Sequence, residues 1–140
     1  MSSPSLDLQT AVFNRLISDE AVSAIVGPRV YDNVPSRPMP ADLFPYISFG
    51  PSYYNTADSE CIRAREETLQ VDCWTDDHGK KRPCRILTDA VKRALHGYSV
   101  ELEGLNALVE MEVALVRVME DPSETIVHGV VQVIAMIEEG

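Results

Sequence analysis

The residues able to do chemistry are few, and their spacing suits little. Cys73 and Cys84 stand with ten residues between them and His78 inside that interval, while Cys61 lies alone. A structural zinc site draws its ligands from close pairs such as C-x-x-C, and a zinc protease from H-E-x-x-H; neither spacing occurs. Cys73 reads instead as a small core residue of an alternating strand. Asp76-Asp77-His78 is acidic enough to attract magnesium, but consecutive residues on an extended chain point to opposite sides. A strand end followed by a helix cap accounts for them better. Nucleophilic catalysis would need Ser or Cys beside His78, His96 or His128 with an orienting acid, and no G-x-S-x-G elbow is present. His96 precedes Gly97 and reads as a helix C-terminal residue, where positive charge is favoured. Lys80-Lys81-Arg82 could hold a phosphate, although Asp76 and Asp77 flank it, and the seven glycines form no phosphate loop. The expectation is therefore no enzyme, no metal and no cofactor. A hydrolase with a site assembled in space around His78 or His128 stands as a rival reading.

The elements that would position these residues follow from periodicity. Residues 6–17 read as a helix with Leu6, Val12, Phe13, Leu16 and Ile17 on one stripe, capped by Ser5 or Asp7. A short helical turn follows behind Ser18 or Asp19, with Ala21, Val22 and Ile25 inward, and Gly27-Pro28 ends it. Pro35, Pro38, Pro40 and Pro45 make residues 29–45 a loop. Residues 46–49 read as a strand closed by Gly50-Pro51, and residues 52–65 as a long hairpin loop of the functional kind. Residues 67–74 alternate, with Leu69, Val71 and Cys73 on one side. Asp76-Asp77 then caps the clearest helix, whose stripe is Ile86, Leu87, Ala90, Val91, Ala94 and Leu95, with Pro83 in its first turn and Gly97 after its end. Strands are predicted over residues 98–102, 108–119 and 126–137. Together these give one α+β domain over residues 1–140, with a mixed, mostly antiparallel sheet of about five strands and two helices packed on one face.

Composition narrows the class. A chain of 140 residues has room for one domain, and 45 % hydrophobic with 24 % charged residues fits a globular protein. Lys+Arg of 12 against Asp+Glu of 22 gives a net charge of −10, which disfavours binding to nucleic-acid phosphates. No apolar run approaches the ~20 residues that cross a bilayer. Met1-Ser2-Ser3-Pro4-Ser5 lacks the basic and apolar regions of a secretory signal, and three free thiols fit a reducing cytosol.

Patterning points to partners. Val127, Val131, Val133, Ala135 and Ile137 share one face of the last strand, while Val130, Ile134 and Met136 surround Gln132 on the other. In the preceding strand Val109, Met111, Val113 and Leu115 lie opposite Glu110, Glu112 and Val116. Helices on one face leave the second apolar row bare, so either a neighbouring subunit or a loop of the same chain must cover it. Six of the twelve basic residues fall within residues 80–93, whereas residues 101–140 hold nine acids and the single base Arg117. Such separation suits head-to-tail contact between copies, basic helix against acidic sheet, or two solvated faces.

The order of these landmarks carries a resemblance. A Leu-rich N-terminal helix and a proline-broken loop precede Phe44-Pro45-Tyr46-Ile47. Thr68-Leu69-Gln70-Val71-Asp72-Cys73-Trp74, Leu95-His96-Gly97, Asp121-Pro122 and His128-Gly129-Val130 follow. From about Leu6 onward the chain resembles the tail completion, or tail terminator, proteins of long-tailed bacteriophages and gene transfer agents. Ser123-Glu124-Thr125 departs from the family, where a glycine-containing turn is common. The resemblance implies a non-enzymatic virion assembly protein, made in the bacterial host cytoplasm and resident at the tail–neck junction. It implies a homo-oligomeric ring, commonly a hexamer, that caps the head-proximal end of the tail tube and joins it to head-completion proteins. DNA would pass through the channel without specific binding, and no membrane is involved. On this reading Tyr53, Tyr54, Arg63 and Arg65 are axial contacts to the tube or neck partner. Lys80, Lys81, Arg82, Glu110, Glu112, Val130, Ile134 and Met136 are the expected subunit interface. A small regulatory protein-binding domain using the same sheet is the alternative.

Overall fold

The computed structural model describes residues 3–35 and 43–140; Pro38 and Pro40 of the expected proline loop lie outside them. Helix α1 (Pro4–Ser18) begins where the Ser3 hydroxyl accepts the Leu6 N–H at 3.2 Å, with Pro4 in the first turn, where a missing N–H loses no bond. Its inward stripe is Leu8, Val12 and Leu16, whereas Leu6 and Ile17 of the expected stripe are exposed. Asp19 then caps α2 (Glu20–Val26) through its carboxylate and the Val22 N–H, so a full second helix stands where a single turn was expected. Three helices cover the sheet rather than two, α3 being Arg82–Leu95.

Five strands make the sheet, but not the five expected. They are β1 (Val30–Tyr31), β2 (Tyr46–Thr56), β3 (Ala64–Asp76), β4 (Ala107–Glu120) and β5 (Ile126–Glu138), in the order β1-β2-β3-β5-β4. All pairs are antiparallel except β1 with β2. The proline-rich loop contributes β1, and residues 98–102 are not a strand. That segment lies against α1 instead, with Arg15 over the Tyr98 ring at 4.3 Å and the Gly97 N–H donated to the Met111 carbonyl.

The largest correction concerns residues 52–65, which are paired strand on both sides of a short tip rather than a loop. Gly50-Pro51 does not end β2: the register shifts between Phe49 and Ser52, and the chain resumes pairing at Ser52 with Leu69. A bulge here tolerates Pro51, and the pairing of β2 with β1 stops at Ser48, so no ladder bond on that edge is lost. Nor do Asp76 and Asp77 cap α3. His78 and Gly79 take positive φ in an intervening turn, and Lys81 occupies the cap position without a side-chain bond.

The core lies between helices and sheet. Val12, Leu16, Leu87, Val91 and Leu95 meet Ile47, Val71, Cys73, Val131, Val133 and Ile137, all fully buried. Gly129 lets α3 sit close, since a Cβ there would come 2.5 Å from Thr88 Cγ2 and 2.8 Å from Cys84 Sγ. In β4 the expected faces hold from Glu110 to Val113, and the register shift after Val113 reverses them: Leu115 pairs with Gln132 on the outer side and Val116 with Val131 on the helix side. Val109, extra in the first bulge, is exposed.

Candidate subunit and partner interface

The face of the sheet turned away from the helices holds most of the expected interface residues. Cross-strand register places Glu66, Met136 and Glu110 in one row across β3, β5 and β4, with Thr68, Ile134 and Glu112 in the next. These rows form a shallow groove in which three exposed carboxylates rim the partly exposed Ile134 and Met136. Leu115 is exposed farther along, whereas Val130, between Asp72 and Arg117 in the register, is only 8 % exposed. Among the described residues no helix covers this face, so the unpaired apolar row expected from the last strand exists.

The other end of the same face is closed by a polar and aromatic network. Tyr46 stacks near Trp74 (6.1 Å, 20°) and Trp74 on His128 (3.9 Å, 5°), with Phe44 tilted against Tyr46 at 5.1 Å. Asp72 Oδ1 accepts from His128 Nε2 and from Gln70 Nε2, each at 2.8 Å, and Trp74 Nε1 donates to the Ser48 hydroxyl at 3.0 Å. Burial, with the fields of Asp121 and Asp72, raises the Tyr46 pKa. His128 is thus wedged between an indole and a carboxylate, on the face opposite Cys73 and Cys84. This network escaped the sequence reading because it depends on cross-strand register; its only local signal was a Trp and a His on strands that both alternate.

His78 is exposed and meets only its neighbour Asp77, at 3.2 Å. No group of three or more His, Cys, Asp or Glu among the described residues could hold a metal ion. Val113 N–H donates to His96 Nδ1 at 3.0 Å, tying the end of α3 to β4.

The basic residues separate into free and occupied. Lys81 pairs with Glu120 at 3.0 Å. Lys80 and the outward residues of α3, namely Arg82, Arg85, Ile86, Lys92 and Arg93, are exposed. Because α3 packs on the core side, this ridge and the Glu66–Glu110–Glu112 groove lie on opposite faces of the molecule.

The hairpin of β2 and β3 divides the axial residues. Tyr53 and Tyr54 are exposed on β2, and Arg63 and Ile62 are exposed at the tip. Ala64 is already level with Glu138, so residues 57–63 project past the end of β5. Arg65, by contrast, is turned inward. Its Nε donates to Glu139 Oε2 at 3.1 Å, its Nη1 lies 3.5 Å from Glu67 Oε1, and the guanidinium sits 3.7 Å over the Tyr54 ring. Burial opposes its charge, but the Glu139 hydrogen bond and the fields of Glu139, Tyr54 and Glu67 outweigh it and raise its pKa. Ser5, from α1, donates to Glu67 at 2.9 Å and completes this tie. Arg65 therefore serves the chain itself.

Comparison with known proteins adds two findings. A family model described as tail completion protein gp17 matches residues 10–138. A chain from a structure described as the virion of a native gene transfer agent particle superposes with a TM-score of 0.87. It is 23 % identical, and the match covers 99 % of this chain and 100 % of that one, a likeness of fold. No curated protein matches.

Proposed function

This chain belongs to the tail completion protein gp17 family and is a structural protein of the virion tail; from that premise we propose that it works as a ring of identical subunits, six in number. The ring caps the head-proximal end of the tail tube, stops the tube protein from polymerising further, and presents a surface to the head-completion proteins. The reading involves no catalysis. The observation that carries it is the bare groove of Ile134 and Met136: a sheet face with part-exposed apolar residues that the described chain leaves uncovered. A neighbouring copy is the simplest cover, and a head-to-tail contact of this kind, repeated with a rotation that closes, makes a ring. The charge of −10 agrees, because acidic walls let DNA slide through a channel rather than adhere.

Axial contact to the tube or neck protein is assigned to the projecting hairpin end, with Tyr53, Tyr54, Ile62 and Arg63. Exposed Tyr and Arg are favoured interface anchors, and a tip standing clear of the sheet body can reach a partner without disturbing the core.

Electron microscopy of particles made without this protein tests the proposal. Overlong or headless tails are expected. Normal virions would overturn the capping role.

A further inference from the structure

Resting on the ring reading, we infer that the groove of one subunit receives the outer ridge of α3 from the next, so that the ring is built by a single head-to-tail contact between opposite faces. Charge, shape and position each support this. The groove is rimmed by Glu66, Glu110 and Glu112, which make no ion pair or side-chain hydrogen bond among the described residues. On α3 the exposed Arg82, Arg85, Lys92 and Arg93 are likewise without an ion pair, and Asp89 is the one exposed acid among them. Like charges gathered in this way repel one another; Asp89 offsets only part of the ridge and Arg117 lies farther along the groove's face, so each cluster is relieved chiefly by the other.

Dimensions agree. The cationic ridge runs from Arg82 to Arg93, a rise of about 16 Å at 1.5 Å per residue. Glu110 and Glu112 lie roughly 7 Å apart along a strand, and Glu66 is two strand spacings away, roughly 10 Å. The acidic patch therefore fits within the length of the ridge. Ile86, 48 % exposed in the middle of the cations, supplies the apolar residue that Ile134 and Met136 lack. Since the two patches lie on opposite faces, no subunit can join them within itself, and a two-fold dimer would set acid against acid. Only a heterologous contact satisfies both, and that contact closes as a ring or runs on as a filament.

Charge reversal decides the matter. The variants are Glu110→Lys with Glu112→Lys, Arg85→Glu with Arg93→Glu, and all four together. Every altered residue is exposed, and an unchanged unfolding midpoint verifies the fold. Assembly is read as mass by light scattering during size exclusion, and as capped tail ends by electron microscopy in cells supplied only with the variant. Each pair alone is expected to lower assembly roughly tenfold or more, and the fourfold variant to restore it, since like charges across an interface are strongly disfavoured. A paired variant that assembles like the native chain, or a correctly folded fourfold variant that does not recover, overturns the inference while leaving the ring standing. A native chain that assembles neither in solution nor on tails overturns the ring reading and this contact with it.

Discussion

The imidazole of His128 lies flat on the indole of Trp74, 3.9 Å between centroids and 5° between planes, while its Nε2 donates to Asp72 at 2.8 Å. Two strands are joined by this arrangement, which stacks an amphipathic ring and satisfies a carboxylate only 6 % exposed. These contacts give His128 a structural role. His128→Ala is expected to lose about 1–3 kcal/mol of stability, from one stacked pair and one charge-assisted hydrogen bond. Urea unfolding measures it. Asp72→Ala combined with His128→Ala should cost less than the two separately, because both remove the same bond. Additive losses would mean the bond contributes nothing.

Glu67 has a different kind of dependence. It is 2 % exposed and is held by Ser5 and Arg65 at the point where α1 meets the sheet. Glu67→Ala leaves Arg65 buried with Glu139 as its remaining acid and should cost about 2–4 kcal/mol. Glu67→Gln, which keeps the acceptor for Ser5, should cost less. Because the pair is shielded from water, half-molar salt should change the size of the Glu67→Ala loss little. A loss under about 0.5 kcal/mol for Glu67→Ala would show that the pair is dispensable.

The three thiols make a chemical prediction. Cys61 is exposed while Cys73 and Cys84 are buried, so a thiol reagent should modify one equivalent in the folded protein and three after unfolding. Burial also pushes both buried thiols up from their ordinary value of 9.0. The unfolded chain therefore releases these protons at lower pH than the folded chain does. Their contribution is complete below pH 9 and declines as pH rises above it. Cys73→Ala should flatten the fall of the thermal midpoint between pH 8.5 and 10.5, at the expense of about 1–2 kcal/mol at pH 7 from the space left behind. An equally steep fall would remove Cys73 from the account.

Close packing of α3 depends on a single hydrogen atom at position 129. Gly129→Ala places a methyl 2.5 Å from Thr88 Cγ2 and is expected to destabilise by about 1–3 kcal/mol. Adding Thr88→Ser, which deletes that methyl, should recover part of the loss. No recovery would shift the clash to Cys84.

How legible all this was in the sequence depended on burial. The stripe of α3, apart from Ile86, which is exposed, and the alternation of β3 and β5 could be read because a packed core imposes a period on the residues that face it. The distal hairpin was misread for the opposite reason. Beyond Gly50 the residues Ser52, Tyr53, Tyr54, Asn55 and Thr56 are exposed, so no apolar period marks them. Only the β-propensity of Tyr and Thr hinted at strand. In β4 the period was visible, but the bulge after Val113 inserted a residue and reversed the faces of Leu115 and Val116. Glu110 and Glu112 nonetheless meet Met136 and Ile134 of β5, since the two acids lie between the bulges. Arg65 could not be read correctly, because Ser5, Glu67 and Glu139 reach it from distant parts of the chain.

The projecting tip offers the sharpest test of how the ring meets its axial partner. Ala57 donates its N–H to the Ala64 carbonyl, so the hairpin can be closed at that pair by a shorter connection. Replacing residues 58–63 with Asn-Gly supplies the two-residue turn that matches strand twist, and it leaves Tyr54, Arg65 and the core untouched. Stability should change by no more than about 1 kcal/mol, and the subunit contacts, which lie elsewhere, should survive. Tail capping should be lost, giving overlong tails in electron micrographs of particles made with the shortened protein. Tyr53→Ala alone should weaken capping without abolishing it, as one anchor among several. If the shortened protein caps tails of normal length, the axial contact lies on another surface, and the tip is only where two strands turn.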